Sequence, residues 1–161
     1  MMTSLVTYLL WFEAIGCGIM AGIYFAFSAF IMASLSKIAP HAGIAAMQSI
    51  NLVIVRTIFL PLFFGTSLGA LVLAIIATID WGSAQSLPML SGGAIYVAGM
   101  FLCTVFLNVP LNNKLAAVDP VTESGANVWV EYLEKWTRWN HIRTWTSTLA
   151  SGLFIAALIV R

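Results

Sequence analysis

The sequence predicts an all-α integral membrane protein, a four-helix bundle with an amphipathic, partly helical third loop. Of its 161 residues, 61% are hydrophobic and only 8% are charged, and the mean hydropathy of +0.97 is too high for a water-soluble domain. Four apolar stretches each approach the ~20 residues that cross a bilayer. They lie at approximately 5–35, 50–79, 92–109 and 141–160. Residues 1–161 are therefore expected to form a single four-span transmembrane domain.

The distribution of basic residues predicts the orientation in the membrane. Lys37 follows the first stretch, and Lys114, Lys135 and Arg138 lie between the third and fourth, whereas the loop near Asp80 has no lysine or arginine. By the positive-inside rule the first and third loops are cytoplasmic and both termini lie outside. We expect a bacterial inner membrane. The net charge of +1, without a basic tract, gives no indication of a nucleic-acid partner.

No residue pattern typical of a cofactor is evident. Cys17 and Cys103 are single cysteines in apolar stretches, without the spacing of a zinc site or a redox pair. The chain has no glycine-rich dinucleotide loop, and His41 and His141 are too few for a bis-histidine haem or a multi-histidine copper site. We therefore expect no cofactor, although a metal ion bound by Glu13, His141 and amides stays open.

Glycine and proline mark features of the first two helices. Gly18 and Gly22 form a small-xxx-small pair, which lets another helix approach closely, either inside one bundle or in a homo-oligomer. The second helix is predicted to begin near Pro40, since proline suits a helix start. A bend is predicted at Pro61, whose missing N–H interrupts the helical ladder.

The third loop has helical periodicity. In NVWVEYLEKWTRWN, one stripe carries Glu131, Glu134, Lys135 and Arg138 and is expected to face water. The opposite stripe consists of Trp129, Leu133, Trp136, Asn140 and Arg143. One continuous helix is predicted to carry both stripes.

Amide and basic side chains are predicted to converge at one level of the bundle. At the start of the second helix and at the end of the third, two polar residues spaced three or four apart share one helix face. A cluster of polar residues opens the fourth helix. These residues are Gln48, Asn51, Asn108, Asn112, Asn140, His141 and Arg143. They would line a pocket at the cytoplasmic side. Alternatively, the amides make hydrogen bonds between helices or cap helix ends.

Two charged residues lie within apolar runs. Glu13 and Arg56 are expected to neutralise each other as a structural ion pair, or Glu13 is a proton acceptor. His141 is the other obvious base near neutral pH, unless it is only a hydrogen-bonded boundary residue.

Three motifs in order carry a family resemblance. AMQSIN at the second helix, NVPLNNKL at the end of the third span and WTRWNHIRT before the fourth resemble the anthrone oxygenase family of small four-helix membrane proteins. The resemblance covers nearly the whole chain. The matching positions are Gln48, Asn51, Asn108, Asn112, Trp136, Asn140 and Arg143. The resemblance implies an oxygenase-like activity that converts tricyclic anthrones of polyketide pathways to anthraquinones.

That activity assigns expected roles to these side chains. An anthrone enolate needs a base, for which His141 or Glu13 is the candidate, and hydrogen-bond donors for its oxygen. The expected donors are Arg143, Asn108, Asn112 and Asn140. The substrate-binding residues are expected to be Gln48, Asn51, Trp136 and Trp139, the tryptophans offering flat faces to the rings.

Two non-catalytic functions stay open from the sequence. Polar residues within spans also suit a protein that binds or transports a small hydrophobic molecule, or a structural membrane subunit. Oxygen consumption in detergent distinguishes an oxygenase from a carrier, which needs a sealed compartment.

Overall fold

The computed structural model describes residues 2–160, and the side chains of residues 4–160. In this part of the chain the fold is all-helical, so the predicted fold class is confirmed. The α-helices are α1 (Met2–Ala26), α2 (Met32–Leu35), α3 (Pro40–Ile54), α4 (Phe59–Ile79), α5 (Ser86–Tyr96), α6 (Val109–Ala116) and α7 (Glu123–Ile159). Three π-helical segments continue them at Phe27–Ile31, Val97–Leu102 and Thr104–Asn108.

Four helical stretches of the described chain are long and apolar enough to cross a membrane. They are Ser4–Leu35, Phe59–Ile79, Ser86–Ala116 and Glu123–Ile159. The last two are longer than the apolar stretches read from the sequence, because their helices continue into amphipathic segments that hydropathy alone leaves out. The protein is therefore an integral membrane protein by length and composition of its helices.

The four spans form an up-and-down ring. α1 packs on α4 and α7, and α5 packs on the same two helices. α1 and α7 run antiparallel, because Ser151 donates a hydrogen bond to the carbonyl of Ala14 while Asn140 donates to that of Tyr24. The start of α1 and the end of α7 consequently share one end of the bundle. We call the opposite end, where α3, α6 and the start of α7 lie, the α3 end. Which end faces the cytoplasm stays a prediction.

The second apolar stretch is two helices. α3 begins at Pro40, as predicted, with the proline at its first position. The bend predicted at Pro61 is wrong, since the helix is interrupted at residues 55–58 and Pro61 lies in the first turn of α4. A proline costs nothing there, because the first N–H groups of a helix have no intrahelical partner. The hydroxyl of Thr57, which precedes the N-cap residue Ile58, accepts from the Phe59 N–H at 3.2 Å.

α7 is the continuous helix that the third-loop pattern predicts. It has 37 residues, which at 1.5 Å per residue is about 55 Å and exceeds a hydrocarbon core of about 30 Å. Its N-terminal part therefore projects beyond the membrane, where Glu131 forms ion pairs with Lys114 and Lys135. The other stripe of this part packs on α3 and is buried, with the rings of Trp129 and Tyr132 stacked at 5.7 Å.

Close helix packing depends on glycine at some positions only. At Gly93 a methyl group would meet the carbonyl oxygen of Ala70 and, at 2.8 Å, the side chain of Ala74, so α4 and α5 approach here as closely as backbones allow. At Gly18 a methyl group would lie 3.4 Å from the Ser151 hydroxyl of α7. At Gly22 it would meet nothing within 4 Å. Gly18 and Gly22 are both exposed, so neither is required for packing inside the bundle, and a homo-oligomer through them stays a prediction.

Gly93→Ala is expected to destabilise the bundle by about 1–3 kcal/mol, because the added methyl pushes α4 and α5 apart. Gly22→Ala, the control with open space around it, should change stability by no more than about 0.5 kcal/mol. Thermal unfolding in detergent measures both. Equal unfolding temperatures for the two variants would contradict this description of the α4–α5 contact.

Candidate functional site

A buried arginine lies at the centre of the candidate site. Arg143 is 5% exposed. No carboxylate of the described residues lies within 4 Å of it, since the ion pairs of this part of the chain join Glu131 to Lys114 and Lys135. One terminal nitrogen donates to Oδ1 of Asn140 at 2.7 Å and the other to the Thr104 hydroxyl at 3.4 Å. Its Nε is buried without a hydrogen-bond partner. The site therefore holds a positive charge that no acidic side chain neutralises.

Two aromatic faces stabilise this charge. The guanidinium carbon lies 4.3 Å from the ring centroid of Tyr24 and 5.0 Å from that of Trp136. Cation–π contacts of desolvated cations contribute about 2 kcal/mol each, which offsets part of the free energy of burying a charge. The rings also fix the plane of the guanidinium, so its orientation is set before any ligand arrives.

Asn140 positions the arginine and ties two helices together. It is fully buried, and its Nδ2 donates to the Tyr24 carbonyl and to the Ser28 hydroxyl, both at 2.7 Å. Its oxygen accepts from Arg143. Since both amide hydrogens are used, Asn140 has no donor left for an enolate. In this arrangement Asn140 contacts Arg143 through its oxygen, and its amide hydrogens are used within the protein.

A cavity of about 220 Å³ opens beside the arginine at the α3 end. Most of its wall is apolar and aromatic, which is typical of sites for hydrophobic ring compounds. Its aromatic lining is Tyr24, Phe27, Phe59, Phe63, Phe64 and Trp136, and its other polar lining is Asn51, Thr104, Asn112 and Arg143. The Trp136 indole N–H is buried without a hydrogen-bond partner, as is Nε of Arg143.

Tyr132 joins three helices at this cavity. Its hydroxyl donates to Oδ1 of Asn112 at 2.8 Å and accepts from Nδ2 of Asn51 at 3.5 Å. Its ring stacks on Trp136 with centroids 5.7 Å apart. Two of the five amides that the sequence predicted for the pocket, Asn51 and Asn112, thus line it and are linked through a residue of α7.

Two more of these amides hold helices together. Asn108 is fully buried and donates to the Trp136 carbonyl at 3.2 Å, and Gln48 donates to the carbonyls of Leu115 at 2.9 Å and Val118 at 3.1 Å. Gln48 therefore caps the end of α6. Neither side chain lines the cavity. Both instead make the hydrogen bonds between helices that the sequence left open as the alternative to a pocket.

His141 and Trp139, expected at the site from the sequence, do not line the cavity. His141 is exposed, because one residue step turns an α-helix by about 100°, and its neighbour Asn140 faces the interior. Trp139 is half-buried and packs against the guanidinium of Arg138 at 5.7 Å. Adjacency in sequence to the buried cluster was a misleading signal for both residues.

The expected Glu13–Arg56 pair is absent from the described part of the chain. Glu13 is fully buried in the bundle, whereas Arg56 is exposed in the interruption between α3 and α4. One carboxyl oxygen of Glu13 accepts from the Cys17 thiol at 3.4 Å, and the other has no partner. The carboxyl group packs against Gly69, where no larger residue fits. It does not line the cavity, so it is not positioned as a base there.

Four residues of the site were missed from the sequence. They are Tyr24, Ser28, Thr104 and Tyr132. The spacing of Tyr24 and Ser28, four residues apart near the end of the first span, was the available signal. Within the described residues no group of three or more histidine, cysteine, aspartate or glutamate side chains is placed to bind a metal ion.

Fold and site together define a four-span membrane protein with an unneutralised cation in an aromatic cavity. A family model described as anthrone oxygenase matches residues 51–153, which include the cavity residues from Asn51 to Arg143. The chain belongs to the anthrone oxygenase family, as the sequence motifs predict. No curated protein and no solved structure matches the chain.

Tyr132→Phe is expected to lower stability by about 1 kcal/mol, because it removes the hydroxyl that links Asn51 and Asn112 and keeps the stacked ring. Tyr8→Phe removes a hydroxyl from a side chain that is 73% exposed and should leave stability unchanged. Thermal unfolding of the two variants in the same detergent tests this. Equal stability of the Tyr132 variant and the unsubstituted protein would show that the bridge contributes nothing.

Proposed function

We propose that the protein oxidises a hydrophobic, tricyclic anthrone with O₂ to the corresponding anthraquinone in the cavity beside Arg143. The observation that carries the proposal is the buried guanidinium without an acidic partner, since an isolated buried charge is unfavourable unless a ligand of opposite charge completes it. The family membership supports the reaction class. The aromatic wall supports a flat, apolar substrate.

The reaction balances without a further reactant. The methylene group of the anthrone loses a proton, which leaves an enolate whose charge lies on the oxygen across the ring. The enolate adds O₂ at the former methylene carbon, and protonation gives a hydroperoxide. Loss of the remaining C–H proton and cleavage of the O–O bond release water and leave the second carbonyl. One anthrone and one O₂ thus give one anthraquinone and one water.

Arg143 stabilises the enolate oxygen in this proposal. Its Nε and the Trp136 indole N–H are buried donors without partners, and both residues line the cavity. An unpaired buried donor is unfavourable by about 1–3 kcal/mol, which an enolate oxygen would recover by accepting from it. Because the cavity wall is apolar, the charge of the guanidinium acts on the enolate with little screening.

The proposed proton acceptor is water, in place of the side chains expected from the sequence. His141 and Glu13 do not line the cavity, and its described lining contains no carboxylate or imidazole. We therefore assign no side chain as the base. Arg143 lowers the free energy of the enolate, and water entering the cavity takes the proton.

Arg143→Gln is expected to reduce turnover about 10²–10³-fold, the loss typical of removing one preorganised donor to a developing oxyanion. Arg143→Lys keeps the charge but loses Nε and the planar contacts, and should lie between this variant and the unsubstituted protein. Oxygen uptake by purified protein with a simple anthrone, with anthraquinone measured in parallel, reports the rates.

Arg138→Gln is the matched control, because Arg138 is an exposed arginine on the same helix. It should keep the full rate, and unfolding temperatures confirm that each variant is folded. An Arg143→Gln variant as active as the Arg138 control would refute the role of Arg143. Binding of the anthrone without any oxygen uptake would instead indicate a non-catalytic binding protein.

His141→Ala should change the rate by no more than about twofold, the range expected for an exposed side chain away from the site. The expected reason is that the imidazole lies on the outer face of α7 and cannot reach a substrate in the cavity. The pH profile of oxygen uptake should also be unchanged. A large loss of rate would return His141 to the role of the base.

A further inference from the structure

Several apolar residues of the cavity wall are also exposed. Four of its lining residues are also exposed on the outer surface: Val55 at 47%, Phe64 at 55%, Val105 at 38% and Val109 at 39%. Phe64 belongs to the second span, and Val105 and Val109 belong to the third. Exposed apolar surface within membrane spans faces lipid. The wall of the cavity on this side is therefore thin and borders the bilayer.

The helices on the two sides of this wall separate. α4 packs on α5 and on Val97–Leu102, and the contact ends with the rings of Phe63 and Phe64 against Phe101, at 5.5 and 6.4 Å. The next part of the third span, Thr104–Ala116, packs on α3 and α7 instead. The start of α4 and the end of the third span thus leave an opening between them.

Two further features border the opening. The interruption of the helix at residues 55–58 lies at its edge, so this edge consists of turn backbone and not of a packed helix. A shallow groove on the outer surface, lined by Ser67, Leu68, Leu71, Val97 and Phe101, meets the cavity at Phe64, which lines both. The Phe64 side chain thus belongs to the wall of the lipid-facing groove and to the wall of the Arg143 cavity.

We propose that the opening framed by Val55, Phe64, Val105 and Val109, here called the lateral portal, admits the substrate sideways from the bilayer. The substrate class that fits is an uncharged, flat ring compound dissolved in lipid. A charged group is unfavourable between four apolar side chains in hydrocarbon, so the ring passes the portal neutral and ionises only beside Arg143. This inference rests on the proposed function for the identity of the substrate.

The portal also selects substrates by their charge and polarity. A ring compound carrying a carboxylate or a sugar is excluded at the portal and not in the cavity, where Arg143 would bind an anion. The ionised form, once made, is retained by the same apolar frame. The portal therefore selects the neutral form of the molecule, and Arg143 stabilises its anionic form.

A labelling experiment in liposomes tests the portal without requiring turnover. In a Cys17→Ala, Cys103→Ala background, Met47→Cys places a thiol on the cavity wall at a position that is 1% exposed. Pyrene maleimide dissolved in the bilayer is the probe. Val105→Trp narrows the portal, and Ile75→Trp adds the same ring at a lipid-facing position of α4 that does not line the cavity.

We expect Val105→Trp to slow labelling about tenfold or more, equivalent to a small increase in the entry barrier, while Ile75→Trp labels as fast as the parent. A charged, water-soluble thiosulfonate should label the parent far more slowly than the maleimide. Equal labelling of the two tryptophan variants overturns the portal, as does fast labelling by the thiosulfonate. Failure of the maleimide to label the folded parent, with labelling after denaturation, also overturns it.

The outcome is distinguishable from failure of the proposed function. Labelling through the portal without oxygen consumption in the presence of an anthrone would support the portal and refute the proposed reaction. A protein that consumes oxygen at the same rate in the Val105→Trp and Ile75→Trp variants, with equal labelling, keeps the reaction and takes its substrate by another route.

Discussion

The hydrogen bond from Arg143 to Asn140 is the interaction on which the rest of the site depends. Asn140 uses its two amide hydrogens to hold α1 at Tyr24 and Ser28, so the packing of α1 on α7 and the position of the guanidinium are set by one side chain. The Tyr24 ring then lies against the guanidinium that Asn140 orients. A charge buried at membrane depth is thus stabilised by a dipole and two rings, which leaves its charge available to a ligand.

What could be predicted from the sequence depended on local periodicity. Apolar length gave the spans, and the spacing of Trp129, Trp136, Asn140 and Arg143 gave the continuous helix and its buried face, because both are properties of a single helix. His141 was misplaced because motif adjacency was given more weight than the rotation of the helix. The Glu13–Arg56 pair failed for a different reason, since complementary charge in two helices says nothing about their relative depth.

The remaining part of the site depends on tertiary structure. Tyr24 and Tyr132 lie in apolar or aromatic runs, and only the tertiary packing shows that Tyr24 lines the cavity and that Tyr132 holds the cavity residues Asn51 and Asn112. π-helical segments at Phe27–Ile31 and Thr104–Asn108 border that cavity and shift the register of the faces after them. Such segments are rare in proteins overall but occur frequently at functional sites, and amino-acid composition does not predict them. The helix interruption at residues 55–58, which shapes the lateral opening, was likewise hidden within a continuous apolar stretch.

The proposed function requires that Arg143, which has no acidic partner among the described residues, favours the ionised form of a ligand in the cavity. Mixing the protein with an anthrone in the absence of oxygen, and recording the visible absorption of the enolate across a pH series, measures that preference directly. We expect the bound anthrone to ionise at a lower pH than the same compound in empty liposomes or detergent, and the Arg143→Gln variant to abolish the difference. Ionisation at the same pH in both proteins would contradict it.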